Sequence, residues 1–256
     1  MLYLNGQPLS VTIFPDKTSQ VWKLNKNQFE TRHRNHTIQW EFSSEGEFLQ
    51  LAQLVFLLRK NESRKINLEI KYLPYGRQDK EVSNDATFAL RPFAALLNYL
   101  KFDLVTIHDP HSNEALHLIY NSLAIYPKDV LREVILNTTT TLACYPDKGA
   151  VYKYKDIYKQ EIGDAFIYGE KVRDQLTGNI THYEVIGDCK GKSVLIVDDI
   201  CDGGMTFKIL ARDLLAKGAT EVNLFVTHGI FSRGLKTLKD SGINRIFTHE
   251  GEKSDI

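Results

Sequence analysis

The sequence predicts an α/β fold with mainly parallel sheets, arranged in two domains. Short apolar, β-branched runs alternate along the chain with segments of helical periodicity, and parallel strands require this order because each crossover needs a long connection. The 256 residues, 43% of them hydrophobic, can bury one large core or two modest ones. The segment YPKDVLREVILNTT (126–139) looks like a connecting helix, so we expect an N-terminal domain of 1–130 and a C-terminal domain of 131–256.

The first half of the chain contains a βαβ pattern. INLEIKYL (66–73) alternates apolar and polar residues as a half-buried strand does, and FDLVTI (102–107) predicts a second strand. The helix between them is predicted from four apolar residues at helical spacing: Phe93, Leu96, Leu97 and Leu100. Asn84 and Asp85 precede this helix as possible caps. An earlier helix is predicted from five apolar residues: Phe48, Leu51, Ala52, Val55 and Leu58.

The second half repeats the alternation. Five apolar, β-branched runs predict strands: TTTLACY, DAFIY, SVLIVDD, VNLFVTH and INRIF. A helix is predicted from about Thr206 to Lys217, followed by Gly218. Ligands of parallel sheets bind beyond the carboxyl ends of the strands, so the residues that follow SVLIVDD are the most informative ones.

Composition and patterning narrow the class of protein. The charges of the 32 basic and 32 acidic residues cancel, so the chain has no net positive charge that would attract nucleic acid or a membrane surface. Three cysteines without CxxC spacing predict neither a disulfide framework nor a zinc site and indicate a reducing compartment. The N-terminus lacks a signal-peptide pattern, and no apolar run reaches the roughly 18 to 20 residues of a membrane span. We therefore expect a cytoplasmic protein that binds neither nucleic acid nor membranes.

The stretch VLIVDDICDGGMTF (194–207) carries the clearest chemistry. Asp198 and Asp199 lie at the end of a predicted buried strand, where carboxylates can accept hydrogen bonds from a sugar's vicinal hydroxyls or meet a phosphate through a cation. Gly203 and Gly204 allow a tight turn, and the free amides of the following helix offer donors to an anion. This combination suits a phosphorylated sugar.

Two other interpretations of this stretch need weighing. An apolar strand followed by two aspartates also resembles the metal-binding strand of P-loop nucleotidases, and GDCKGKS (187–193) contains their GK[ST] triplet. That match fails, because Gly187 and Gly191 have three residues between them instead of four, and Ser193 leads into a strand. VLIVDD by itself could equally be a solvated acidic turn.

The full stretch resembles the ribose-phosphate binding motif of type I phosphoribosyltransferases and ribose-phosphate pyrophosphokinases. Five more segments resemble the pyrophosphokinases in the family's order: FPDK (14–17), YLPYGRQDK (72–80), DPHS (109–112), YPDKGA (145–150) and THGIFSRG (227–234). A plain phosphoribosyltransferase should lack the YLPYGRQDK and DPHS segments. The chain is therefore identified as a member of the pyrophosphokinase family, which implies two related type I phosphoribosyltransferase-like domains with mainly parallel sheets.

The resemblance implies an activity. Enzymes of this family transfer the pyrophosphoryl group of ATP to the 1-hydroxyl of ribose 5-phosphate, forming 5-phosphoribosyl 1-pyrophosphate and AMP, with Mg²⁺ bridging the phosphates. The alternatives are a phosphoribosyltransferase that consumes this product and a non-catalytic, family-associated regulator. A homodimer or larger homo-oligomer is also implied, because the FPDK loop would complete the ATP site of a neighbouring subunit.

The resemblance also assigns site residues. The implied ATP contacts are Phe14, Asp16, Arg77, Gln78 and His111. The implied ribose 5-phosphate contacts are Asp198, Asp199, Asp202, Gly203, Gly204, Met205 and Thr206. The implied pyrophosphate loop is Asp147, Lys148, Gly149 and Ala150, and the implied metal contacts are His111 and Asp147, with Asp109 a weaker candidate. The segment GEKVRDQ (169–175) matches the family's mobile catalytic loop, whose two catalytic cations are Lys171 and Arg173. His108 is expected to be structural.

Two departures from the family pattern lead to further expectations. Thr18 stands where the family usually has glutamate, which bears on adenine recognition and on selectivity for the nucleotide donor. The segment INRIFTHEGEKSDI stops soon after a predicted strand, whereas family members continue into residues that help to build an inter-subunit ADP site. We therefore expect a smaller assembly, most simply a dimer, in which ADP competes with ATP; a fragment of a longer chain is the alternative.

Overall fold

The computed structural model describes residues 1–22, 24, 35–173 and 180–254, with the backbone alone described at 171–173 and 180–182. The chain separates into two compact units, a first unit of Met1–Ile125 and a second unit of Tyr126–Ile256. Each unit is built around a mainly parallel sheet and has its own buried apolar residues.

The first unit contains a six-stranded sheet, a separate hairpin and three helices among its described residues. In chain order these elements are β1 (Leu2–Leu4), β2 (Gln7–Pro8), β3 (Val11–Ile13), β4 (Ser19–Val21), β5 (Asn35–Trp40), α1 (Gly46–Lys60), β6 (Lys65–Ile70), α2 (Leu90–Tyr99), β7 (Leu104–His108), α3 (Glu114–Leu118) and β8 (Ser122–Ile125). The sheet order is β2-β1-β5-β6-β7-β8, and β3 and β4 form the hairpin. Strands β5 to β8 run parallel to one another, whereas β1 pairs antiparallel with β2 and β5.

The predicted βαβ unit is confirmed as β6, α2 and β7, but two details of the prediction are wrong. Leu96 is 58% exposed, because the buried stripe of α2 consists of Leu90, Phe93, Ala94 and Leu97. Neither Asn84 nor Asp85 caps α2, since the helix begins only at Leu90 and the Asp85 carboxylate instead accepts a hydrogen bond from Ser83 Oγ. A long irregular loop therefore separates β6 from α2.

The second unit contains a seven-stranded sheet and five helices among its described residues. In chain order these are α4 (Lys128–Thr138), β9 (Leu142–Tyr145), α5 (Lys148–Tyr154), α6 (Lys159–Ile162), β10 (Phe166–Arg173), β11 (Ile180–Ile186), β12 (Ser193–Cys201), α7 (Met205–Ala216), β13 (Glu221–Gly229), α8 (Lys236–Lys239), β14 (Ile246–Thr248) and β15 (Gly251–Glu252). The sheet order is β11-β10-β9-β12-β13-β14-β15, with parallel pairing from β10 to β14. All five strands predicted in this half are confirmed, and so is the helix predicted near 206–217.

Strand β10 differs from its prediction in length. The segment GEKVRDQ was expected to be a loop from residue 169, but β10 continues to Arg173. The reason is antiparallel pairing with β11, in which Lys171 lies opposite Tyr183, because main-chain hydrogen bonding can extend a strand through polar residues. The side chains of Lys171 and Arg173 lie outside the described residues, so their catalytic assignment stays a prediction.

The cysteines belong to the buried part of the second unit. Cys144, Cys189 and Cys201 are all free and all buried. Burial raises the pKa of each thiol, to about 12 for Cys201, where the negative charges of Asp198 and Asp202 add to the effect. These thiols are therefore protonated at neutral pH.

No helix in the described ranges combines the length and the apolar character that crossing a membrane requires.

Candidate functional site

The centre of the candidate site is the acid pair at the carboxyl end of β12. Val194 to Val197 are fully buried, and Asp199 is only 4% exposed. The backbone N–H of Asp199 donates a hydrogen bond to Asp198 Oδ1 over 2.9 Å. Because β9 and β13 flank β12 in parallel, the loops that follow all three strands leave from the same edge of the sheet.

The two carboxyl groups of this pair have different electrostatic surroundings. Lys153 of α5 places its Nζ 3.4 Å from Asp199 Oδ2, and both side chains are largely buried. Burial raises the pKa of Asp198 well above its usual range, the negative charge of Asp199 raises it further, and Lys153 acts in the opposite direction. The pair can therefore present a carboxylate acceptor beside a carboxyl that retains a proton more readily, which suits two neighbouring sugar hydroxyls.

The buried ion pair gives a direct stability prediction. Replacing Lys153→Met leaves Asp199 buried without its cation, so we expect the free energy of unfolding to fall by about 3 kcal/mol. Denaturant titration at neutral pH measures the loss. Lys155→Met is the matched control, because Lys155 is an exposed lysine directly after the same helix, and its change should stay within about 0.5 kcal/mol. Equal effects of the two substitutions would contradict the assigned ion pair.

A glycine turn connects β12 to α7. Gly204 has φ +72°, a left-handed conformation that favours glycine, and a Cβ there would lie 2.7 Å from Leu238 Cδ2. Within the described part of the chain, no side chain caps the amides at the start of α7. Met205 is exposed and Thr206 is half-buried in that first turn. The first N–H groups of a helix have no intrahelical partner, so this turn can donate hydrogen bonds to an anion.

The loop after β13 folds directly onto this turn. The backbone N–H groups of Ile230 and Phe231 both donate to the carbonyl oxygen of Cys201, at 2.8 and 3.1 Å. Ser232 Oγ donates to Asp202 Oδ1 over 2.6 Å. A Cβ on Gly229 would lie 2.0 Å from the Phe231 ring, so any other residue there would displace that ring. The structure thus brings THGIFSRG to the predicted sugar-phosphate site, although no role for that segment could be inferred from the sequence.

The predicted pyrophosphate loop forms the end of β9 and the first turn of α5. Asp147 is the N-cap residue of α5, and its Oδ1 accepts a hydrogen bond from Ala150 N over 3.0 Å. Lys148 and Gly149 begin the helix. Lys148 is exposed and donates to Glu170 on β10, which raises the pKa of Lys148. Because β9 is the neighbour of β12, this turn lies on the same sheet edge as the acid pair.

A further residue that the sequence did not single out is Tyr183 on β11. Its hydroxyl is buried, and no described residue bonds to it. Burial raises the pKa of Tyr183, and the charges of Asp147 and Asp198 add to the shift. This hydroxyl therefore lies in the electrostatic field of both the pyrophosphate turn and the acid pair.

The predicted adenine contacts lie in the first unit, in the hairpin of β3 and β4. Phe14 is 40% exposed, and Asp16 occupies the turn. Thr18 donates to Asp16 Oδ1 through its hydroxyl over 2.7 Å and through its backbone N–H over 3.0 Å, and these bonds lower the pKa of Asp16. Thr18, the departure from the family pattern, thus fixes the neighbouring carboxylate.

The other predicted ATP contacts lie in the loops that follow β6 and β7. Arg77 and Gln78 are exposed in the first of these loops, and His111 is exposed in the second. Since β6 and β7 are parallel neighbours, both loops leave from the same edge of the sheet. Asp109, by contrast, is only 1% exposed.

His108 belongs to a polar cluster at the end of the same sheet. Its Nε2 lies 2.7 Å from Glu69 Oε1. Burial alone would raise the pKa of Glu69, but hydrogen bonds from Lys71, Gln39 and His108 outweigh burial and lower it to about 2. This arrangement supports the structural role expected for His108.

The side chains of the candidate site can serve as donors to a magnesium ion. Among the described residues, no three His, Cys, Asp or Glu side chains converge as a ready metal cage. Mg²⁺ does not require one, because it keeps several waters and is usually bound through one or two carboxylates plus substrate phosphates. Asp147 at the end of β9 and the acid pair at the end of the neighbouring β12 bring carboxylates to one edge of the sheet, so the residues fit a magnesium ion that binds together with a polyphosphate.

Comparison with known proteins shows the class of protein to which this chain belongs. A family model described as "Phosphoribosyl transferase domain" matches residues 118–253, which include the acid pair and the glycine turn. The chain is 33% identical over 232 residues to the ribose-phosphate pyrophosphokinase of Pyrococcus furiosus, covering 86% of this chain and 77% of the relative. The chain belongs to the ribose-phosphate pyrophosphokinase family.

Two further comparisons define the extent of the similarity. The ribose-phosphate pyrophosphokinase of Agrobacterium fabrum is 27% identical over 201 residues, which cover 75% of this chain but only 63% of that relative's length. The crystal structure of phosphoribosylpyrophosphate synthetase from Mycobacterium smegmatis superposes with a TM-score of 0.79, covering 94% of this chain and 79% of that chain at 20% identity. The predicted fold class, two type I phosphoribosyltransferase-like domains with mainly parallel sheets, is confirmed.

Proposed function

We propose that this chain is a ribose-phosphate diphosphokinase, which transfers the pyrophosphoryl group of ATP to the 1-hydroxyl of ribose 5-phosphate. The products are 5-phosphoribosyl 1-pyrophosphate and AMP. The observation that carries the proposal is the pair Asp198 and Asp199 at the end of β12, beside a glycine turn whose helix amides are capped by no described side chain. Membership of the pyrophosphokinase family supports the same activity.

The sugar phosphate is bound by the second unit in this proposal. Asp198 and Asp199 hold the vicinal hydroxyls of the ribose, and Lys153 fixes the direction of Asp199. The amides of the turn from Asp202 to Thr206 hold the 5-phosphate. Anchoring both ends of the sugar orients its 1-hydroxyl, which is the larger part of what a phosphoryl-transfer enzyme must do.

ATP is bound by residues of the first unit in this proposal. Phe14 and Asp16 contact the adenine, and Arg77, Gln78 and His111 contact the nucleotide. Their exposure in three loops leaves them accessible to a ligand. The assignment of nucleotide binding to 1–130 and of ribose-phosphate binding to 131–256 is part of the proposal.

The transferred group is held by the turn Asp147 to Ala150. Lys171 and Arg173 supply positive charge to it, and both lie outside the described side chains. Asp147 and His111 would hold Mg²⁺ in this proposal, and the ion would supply positive charge for the phosphate oxygens of the polyphosphate. We also propose a cytoplasmic homo-oligomer, at least a dimer, in which the hairpin contacts a neighbour; the exposed side chains of Ile13 and Phe14 support this.

The proposal is tested by incubating the pure protein with ATP, Mg²⁺ and ribose 5-phosphate. We expect AMP and 5-phosphoribosyl 1-pyrophosphate in equal amounts, and no AMP when unphosphorylated ribose replaces the substrate. Consumption of 5-phosphoribosyl 1-pyrophosphate with a nucleobase, in place of its formation, would indicate a phosphoribosyltransferase. Binding of both substrates without turnover would indicate a regulator.

A further inference from the structure

We infer that Arg233 binds the 5-phosphate of the sugar and makes this site selective for phosphorylated ribose. The inference rests on the proposed function, and it assigns a role to the THGIFSRG segment that neither motif nor fold supplied.

The position of Arg233 supports this inference. The Arg233 side chain crosses the glycine turn, with its Nε 3.5 Å and its Cδ 3.6 Å from the point where a Cβ on Gly203 would lie. Ser232 Oγ is 3.9 Å from the same point. The stem of Arg233 therefore lies beside the turn that leads into α7, where a side chain on residue 203 would touch it.

The backbone that carries Arg233 is held in place. Two N–H groups of this loop bond to the carbonyl oxygen of Cys201, and Phe231 packs against the apolar core of the second unit. Ser232 ties the loop to Asp202. An arginine on an anchored loop can be aimed at a ligand at a smaller entropic cost than one on a free loop.

The charges around the glycine turn also favour this role for Arg233. The turn carries the Asp202 carboxylate and follows Asp199 of β12, and negative charges at these positions repel a phosphate dianion. Lys153 is paired with Asp199, and Ser232 bonds to Asp202. No acid among the described residues pairs with Arg233, which is exposed. Its charge is therefore available to a phosphate, and a guanidinium can donate two parallel hydrogen bonds to phosphate oxygens.

The test compares three single variants by calorimetric titration with ribose 5-phosphate, with inorganic phosphate and with ribose. In Arg233→Ala we expect the Kd for ribose 5-phosphate to rise about 10- to 100-fold, and phosphate binding to weaken in parallel, because hydrogen bonds to a charged group are lost. Binding of ribose should not change. Arg233→Lys should recover part of the affinity, since an ammonium retains the charge without the planar pair of donors.

Arg212→Ala is the matched control, because it removes an exposed arginine from α7 without approaching the turn. A Kd for ribose 5-phosphate within twofold of the parent in Arg233→Ala overturns the inference, and so does an equal loss in Arg212→Ala. Failure of the parent to bind ribose 5-phosphate contradicts it as well. If the parent binds the sugar phosphate but forms no AMP with ATP, the proposed function fails while the role of Arg233 stands.

Discussion

Replacing Asp199→Ala should lower kcat/KM for ribose 5-phosphate about 100-fold or more, mainly through a higher KM for the sugar. Asp199 is 4% exposed and is held by Lys153, so it is a preoriented acceptor for a ribose hydroxyl. Loss of a charged hydrogen-bond partner in a buried site costs about 1.5 to 3 kcal/mol, and more where the partner is left unpaired. Steady-state kinetics with varied sugar, together with the Kd for ATP measured without sugar, separate the two substrates, and the Kd for ATP should change less than twofold.

The variant Asp199→Asn controls for unfolding of Asp199→Ala. Its amide group keeps the volume of the aspartate side chain and an oxygen that can face Lys153. It should still fold, with a smaller loss of stability than Asp199→Ala, and still lose most of the sugar affinity. Asp156→Ala, an exposed acid near α5, is the matched control and should leave the kinetics unchanged. Parent-like kinetics of both Asp199 variants at subsaturating sugar would remove Asp199 from the site.

Replacing Lys171→Ala should lower kcat by a factor of about 100 to 1,000, with little change in the fold or in the Kd for ATP. The expected magnitude is that of losing one electrostatic donor to a transition state. A cation that acts on the transferring pyrophosphoryl group contributes in the transition state, so its loss lowers kcat and kcat/KM together. Turnover at saturating ATP and ribose 5-phosphate measures the effect directly.

Lys192→Ala provides the control for the loss of a positive charge, since Lys192 is exposed in the turn before β12. Its kcat should match the parent's. If Lys171→Ala turned over as fast as Lys192→Ala, the assignment of Lys171 as a catalytic residue would be wrong.

Most of the sheet in the second unit could be predicted from the sequence, because its central strands are buried on both faces. VLIV in β12 and NLFV in β13 are continuous apolar runs for that reason. Strand β5 could not be found in the same way. Its buried positions are His36, Ile38 and Trp40, and a buried histidine interrupts the apolar alternation that marks a strand.

In the candidate site, too, some residues could be predicted from the sequence and others could not. The acid pair and the glycine turn are contiguous in the chain, so their chemistry could be inferred before any fold was known. Lys153 and Arg233 could not, because their neighbours Asp199 and Gly203 are distant in sequence and meet them only when the parallel strands bring their loops to one edge. A lone lysine or arginine carries no periodic signal that would distinguish it from a solvated charge.

The buried cysteines give the second unit a built-in chemical reporter. All three thiols of the chain, Cys144, Cys189 and Cys201, lie in that unit, and only the thiolate form reacts with an alkylating reagent. Burial and raised pKa values protect these thiols from alkylation in the folded protein. Alkylation therefore requires local or global unfolding that exposes them. The rate of labelling with and without ribose 5-phosphate therefore measures how much a bound sugar phosphate suppresses opening of the second unit. The first unit has no cysteine and contributes no label.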